Sequence, residues 1–345
     1  MPLISDDQRL MCDNIRRLFA GAGGVARARR VADECPYVDK TVWREFVALG
    51  WLSLLLPEDE GGMGGSAADF VILMEAVADL LPPEPIVPAL AAAPLLAACE
   101  SPAANTLLAD MLKGECVVLA AAEEPATLLG ATTQIVPSAH FADVLVFGAD
   151  EGGEFSLRAL EIDQVGSAIS MLRTVAGGAM ATFSPEAVRG HLLGKGQAIR
   201  EAHRRCRNLQ RLGTAALLLG ISLTSFQKTV DYLKLRRQFG TSIGHFQALQ
   251  HRAASLHVAC QSTRALISEA VRAIATPAEN LACAAAKARA ADTAMKVAKE
   301  SVQLHGAIGF SNETDIALFF KHVTTLTACC GSPDACRNDV LAIHG

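Results

Sequence analysis

The segment LRRQFGTSIGHFQALQHRAA, residues 235–254, sets two cations (Arg236, Arg237), a ring (Phe239) and a Phe246–Gln247 pair around two glycines, Gly240 and Gly244. Guanidinium groups fork onto phosphate or carboxylate oxygens, and a ring offers a flat apolar face. The set therefore suits an anionic, flat ligand. It also suits a polar connection between helices, because arginine side chains mostly face solvent. Spacing alone leaves both open. The ten cysteines, from Cys12 to Cys336, are scattered with no C-x-x-C pair, and no histidine stands at zinc-ligand spacing, so no metal site is expected. They read as reduced thiols of a cytoplasmic protein.

The formal net charge of -5 and the absence of any basic run longer than RRCR argue against nucleic acid as a partner. The N-terminus, MPLISDDQRLMCDNIRR, lacks a basic stretch followed by an apolar one, so no signal peptide is expected. The run LAAAPLLAAC is too short and too interrupted by proline to span a bilayer, and no membrane span is expected.

What must position the Arg–Phe–Gln turn is helical. Ser5 and Gln8 form a capping-box pattern ahead of RLMCDNIRRLF, TVWREFVALG stops at Gly50, and Ser66 caps AADFVILMEAVADLL with Asp69 three residues on. PEDEGGMGGS breaks any period, PPEPIVP ends the helix before it, and two more helices follow. From about Cys116, CVVLAAA, DVLVFGA and EFSLRAL are short alternating or β-branched runs between Gly, Pro and Asp clusters. After Gly196 apolar residues return at spacings of three and four, through Leu209–Leu233 and again through Phe246–Ile274. Thr276, Pro277 and Glu279 read as the N-cap, N1 and N3 of a helix ending at Gly306. ETDIALFFKHVTTL is a fourth helix, and Ser332–Pro333 opens a short last one. The expected order is a helical domain over 1–115, a small β domain over 116–195 and a four-helix bundle over 196–345.

Three segments carry a resemblance. LGWLSLLLPEDEGGMGGSAADFVILMEAVADLLPPEP (residues 49–85) resembles the N-terminal signature of the acyl-CoA dehydrogenase family. RRQFGTSIGHFQALQH resembles its Arg-x-x-Phe-Gly-x-x-Ile-x-x-Phe-Gln motif. VQLHGAIGFSNETD (residues 302–315) is similar to its Gln-x-x-Gly-Gly-x-Gly-Phe-x-x-Glu loop. They occur in family order across nearly the whole chain. The resemblance implies a mainly α fold with a small β domain, FAD as cofactor and an acyl-CoA thioester as substrate. It also implies that the turn and the Gly-rich loop receive the ADP half of a neighbouring subunit's FAD. By position, Arg236 would meet the pyrophosphate, Phe239 would offer its flat face, and Gln247 and Gln303 would supply amides. Gly306 and Gly309 would let the backbone approach.

This chain departs from that pattern. Ala307 stands where the family has a second glycine. Of the family's Thr-Glu-Pro-x-x-Gly-Ser run only Glu124–Pro125 remain, and no tryptophan lies beyond Trp51 to cover a flavin ring. Desaturation needs a carboxylate to take the Cα proton. The resemblance places it at one of two positions, and these hold Cys330 and Gln210; a thiol is a poor base at neutral pH and an amide is none. Glu313 and Asp334 are nearby acids. The implied reading is the shorter, base-lacking subunit of a heteromer with a base-bearing paralogue. Some family members acting on steroid side-chain CoA thioesters are such heteromers, and their shorter subunit resembles this chain in size and in its ending, FKHVTTLTACCGSPDACRNDV. A non-catalytic binding or structural protein that has lost FAD, and a homomeric enzyme using Glu123 or Glu124, stay open.

Overall fold

The computed structural model describes residues 4–34, 40–128, 131–311 and 313–344. Its N-terminal part holds α1 (Asp6–Gly21), α2 (Gly24–Asp33), α3 (Thr41–Ala48), α4 (Ala67–Val77), α5 (Ile86–Ala97) and α6 (Pro102–Lys113). Ser5 caps α1 in a reciprocal box with Gln8, and Ser66 caps α4 with Asp69, as their spacing predicts. Two details differ from the sequence reading. α5 begins at Ile86, inside the proline run expected to be a break, because Pro88 sits in the first turn where no amide donor is needed. The glycine-rich segment after Pro57 holds one short helical turn, Glu58–Glu60. Trp43 stacks on Phe46 at 5.4 Å, and Phe46 meets Phe19 and Trp51, forming the apolar centre of this part.

Two four-stranded sheets follow. β1 (Val118–Ala121) lies parallel to β4 (Val144–Glu151), which pairs antiparallel with β5 (Glu154–Glu161), and β5 pairs with β8 (His191–Lys195). β2 (Ala126–Leu128), β3 (Ala131–Val136), β6 (Ser170–Arg173) and β7 (Ala179–Phe183) form the second sheet in the order β2-β3-β7-β6. A single turn, α7 (Ile162–Val165), follows β5. Phe147 of β4 meets Phe183 of β7 edge-on at 5.3 Å, joining the two sheets through their inner faces.

The C-terminal part is α8 (Gln197–Leu235), a two-residue hairpin β9 (Arg237–Gln238) and β10 (Thr241–Ser242), then α9 (Gln247–Ala273), α10 (Glu279–His305), α11 (Ile316–Ala328) and α12 (Pro333–His344). α10 starts at Glu279 and not at Pro277. The Thr276 hydroxyl accepts from the Ala278 N–H, while the Glu279 carboxylate takes the Ala275 N–H and the Asn208 amide. The fourth helix has 13 residues and not the length of its neighbours. α8 is long and apolar enough to cross a bilayer, unlike the shorter run singled out in the sequence, but 72% of its apolar window is buried inside the protein.

Tyr232 stacks on His305 at 4.4 Å, so α8 and α10 run parallel and end at the same side of the bundle. Gly213 and Gly220, two turns apart on one face of α8, let α4 approach. A Cβ on Gly213 would lie 2.5 Å from the Phe70 ring, and one on Gly220 would lie 2.4 Å from the Ala78 Cβ. Gly220→Ala gains about 1 kcal/mol of helix propensity, yet overpacking of about 1–3 kcal/mol opposes it. We expect a net loss of stability, read as a lower midpoint in urea unfolding; a raised midpoint would show that the contact yields freely.

Candidate active site

β1 ends against the first half of α8, and the polar groups of both elements satisfy one another. The Gln210 amide donates to the Ala120 carbonyl at 2.7 Å. Arg211, 1% exposed, donates from Nε and Nη2 to the two Glu123 carboxylate oxygens at 2.7 and 2.9 Å, and from Nη1 to Asp339 of α12 at 2.7 Å. Gln134 of β3 donates to the Glu123 carbonyl, and Arg207 pairs with Glu124. His203 is buried with its Nε2 3.4 Å from the Ala121 carbonyl and its ring 5.2 Å from Phe155. The carbonyls of Ala120, Ala121 and Glu123 are thus all covered by side chains of the chain itself.

Cys330 follows α11 in a left-handed conformation, φ 54°. Lys287 of α10, wholly buried, holds this turn by donating to the Thr327 and Gly331 carbonyls at 3.1 and 3.0 Å. Burial lowers the pKa of the Lys287 amine, while the Cys330 thiol is pushed up to about 11 by burial, against a lowering by its hydrogen bond with Thr214. A protonated thiol is no general base.

Gln210, Glu123 and Cys330 line one cavity of about 150 Å³. It lies between the proline loop Leu81–Pro88, the β1 end, β3 and the turn after it, α8 and α11. The structure therefore brings both family base positions to a single pocket. Neither offers a carboxylate; of the two carboxylates among the residues that line the pocket, Glu123 has both oxygens held by Arg211 and Glu84 is paired with Arg27. Glu313 is exposed at the far end of the bundle, and Asp334 is exposed and pairs with Arg337.

Arg236, Phe239, Gln247, Gln303, Gly306 and Ala307 lie elsewhere. All six are exposed at the end of the bundle where α8 and α10 terminate. Arg236 is 26 residues beyond Gln210, roughly 39 Å along a helix rising 1.5 Å per residue. The side chains of Arg236, Gln247 and Gln303 have no hydrogen-bond partner among the described residues, and Phe239 is 90% exposed on a positive φ of 53°. Asn312, in the segment 302–315, and Leu129–Gly130, in the run after Glu124–Pro125, lie outside the described residues. An unpaired guanidinium, two amides and a bare ring fit the ADP half of FAD; the self-satisfied β1 end does not fit a flavin ring within this chain.

Arg211 and Lys287 escaped the sequence reading, although a signal was there. Cys283, Lys287 and Ala291 recur at intervals of four on one helix face, which placed the lysine among buried residues. A charged side chain on such a face needs a specific partner set.

Family models of the acyl-CoA dehydrogenase N-terminal and C-terminal domains match residues 5–115 and 200–343. Acyl-CoA dehydrogenase IpdE2 of Mycobacterium tuberculosis (strain ATCC 25618 / H37Rv) is 28% identical over 322 residues, covering 92% of this chain and 90% of that protein. A solved structure of a Tcur3481-Tcur3483 steroid ACAD variant matches with a TM-score of 0.86 at 25% identity over 98% of each chain. The ChsE4-ChsE5 complex from Mycobacterium tuberculosis matches in fold, with a TM-score of 0.83 at 19% identity over 99% of this chain and 97% of that one.

Removing Arg211 strands two carboxylates, one of them largely buried. Arg211→Met should lower unfolding free energy by about 3–5 kcal/mol, as for a broken buried ion pair, whereas Arg337→Met, on an exposed pair, should cost about 0–1 kcal/mol; equal midpoints in denaturant would contradict this. A pH effect follows from His203. Burial, reinforced by Arg207 and Arg200, pushes its imidazole down to about 4 despite the Ala121 contact. The unfolded chain then binds the extra proton first, so stability falls as pH drops from about 6.5 towards 4, by up to about 3 kcal/mol. His203→Leu should make that stretch of the stability profile shallower, the remaining fall coming from His322, which burial also pushes down to about 4.

Proposed function

The chain belongs to the acyl-CoA dehydrogenase family, and from that premise we propose that it is the base-lacking subunit of a heteromeric acyl-CoA dehydrogenase. The observation that carries this is the pocket itself, where Gln210 is bonded to Ala120, Cys330 is a protonated thiol and Glu123 is forked onto Arg211. Taking a Cα proton requires a free carboxylate in reach, and the second carboxylate lining the pocket, Glu84, is paired with Arg27. FAD, when bound, supplies the acceptor for the hydride leaving Cβ. This chain's own part is to offer Arg236, Phe239, Gln247 and Gln303 to the ADP half of a cofactor held by a neighbour, since that turn lies too far from its own pocket to serve it. The steroid ACAD and ChsE4-ChsE5 likenesses support a two-chain assembly. The self-satisfied β1 end favours a second reading, a binding or structural protein without FAD.

Alone, the chain should show little acyl-CoA dehydrogenation, since loss of a general base typically costs a factor of about 10² to 10⁴. Turnover of an acyl-CoA with an artificial electron acceptor by the purified single chain would contradict the proposal. Co-expressed with a base-bearing paralogue, the assembly should be yellow and active, and Arg236→Ala should reduce its flavin content by an interaction of about 1.5–3 kcal/mol. An assembly that stays colourless and inactive would favour the second reading.

A further inference from the structure

The turn after α8 and the loop after α10 each fold back on the end of their own helix. In the turn, the Arg236 N–H donates to the Tyr232 carbonyl at 2.8 Å and the Ile243 N–H to the Arg236 carbonyl at 2.9 Å. A Cβ on Gly244 would lie 3.0 Å from the Leu233 carbonyl oxygen, and Phe239 and Phe246 meet edge-on at 6.1 Å. In the loop, Gly306 turns the chain at φ 68°. The following turn closes over α10, so that a Cβ on Gly309 would lie 2.7 Å from the Val302 carbonyl oxygen and 3.0 Å from the His305 Cβ. Both backbones are therefore braced, while the side chains of Arg236, Gln247 and Gln303 stand exposed. One ring pair joins the two helix ends. Tyr232, a turn before Arg236, stacks on His305, which lies between Gln303 and Gly306; the ring centroids are 4.4 Å apart and the planes meet at 24°. His305 Nδ1 is 2.8 Å from the Ser301 carbonyl, so that nitrogen carries the proton, and burial lowers the pKa of the imidazole, which leaves a flat neutral ring at pH 7.

Resting on the reading of these two segments as receptors for the ADP half of a neighbour's FAD, we infer that the Tyr232–His305 stack is a positioning pair. It sets Arg236 on α8 against Gln303 and the Gly306 loop on α10, and neither ring touches the ligand itself. A receptor built in two pieces grips one ligand well only when the pieces already keep their spacing, because any freedom left to them is lost on binding. Stacked rings supply that spacing through shape, since an offset aromatic pair holds its partners at a fixed separation and tilt. The phenol oxygen of Tyr232 and the second imidazole nitrogen of His305 are then dispensable, whereas the flat rings are not.

The test uses the assembly of the full chain with its base-bearing paralogue, stripped of flavin and titrated with FAD and with FMN. FMN lacks the AMP moiety and has no adenosine end to offer the turn and the loop, so wild type should bind FAD more tightly. Tyr232→Leu and His305→Leu fill the space without a flat ring, and either alone suffices. Each should weaken FAD about three- to tenfold, the span that one aromatic pair supplies, and leave FMN within about twofold. Tyr232→Phe and His305→Phe keep the rings and should bind FAD within about twofold of wild type. Equal loss of FAD and FMN in the leucine variants would show a general loss of structure and overturn the inference. Unchanged FAD affinity in both leucine variants would overturn it too, as would phenylalanine variants as weak as the leucine ones, since the polar atoms would then be the contacts. A wild-type assembly that takes no flavin, or takes FMN as readily as FAD, would sink the reading of the turn and loop as receptors together with the inference, so the two failures are told apart.

Discussion

Helix α8 is buried on several sides at once, and that constraint sets the position of nearly everything else. Its 39 residues meet α4 and α5 on one flank and α9, α10 and α11 on others, while its N-terminal half meets β5 and β8. A helix so enclosed can carry polar side chains only where each finds a partner inside the protein. Gln210 and Arg211 find theirs on the β1 end. The same rigidity fixes the distance from the pocket at Gln210 to the turn at Arg236, so the pocket and the turn stand apart along one rod. That separation is the physical basis for reading the turn as an arm offered to another subunit.

The Glu123 carboxylate is held in place by the helix it faces. Both oxygens of Glu123 are taken by the Arg211 fork, and Asp339 shares the same guanidinium. Through that guanidinium Glu123 ties the end of β1 to α8 and α12, a structural role. Lys287 acts similarly on the neighbouring turn, holding Gly331 and Thr327 through carbonyl contacts, so the segment bearing Cys330 keeps its shape although no acid remains on it.

Much of the fold was legible because it is written in periods. Caps at Ser5 and Ser66, the apolar spacing of α8 and α9, and the alternation of β4 and β5 are local signals, and local signals survive without knowledge of what they pack against. The second sheet was less legible. β2 and β6 are three and four residues long, and β6 is exposed along its length, so their pairing depends on β3 and β7 and not on any pattern of their own. Of the candidate site, the turn residues stand within a motif that the sequence displays. The Arg211–Glu123–Asp339 cluster was not legible, because it joins positions 88 and 128 residues apart, and no spacing rule connects them.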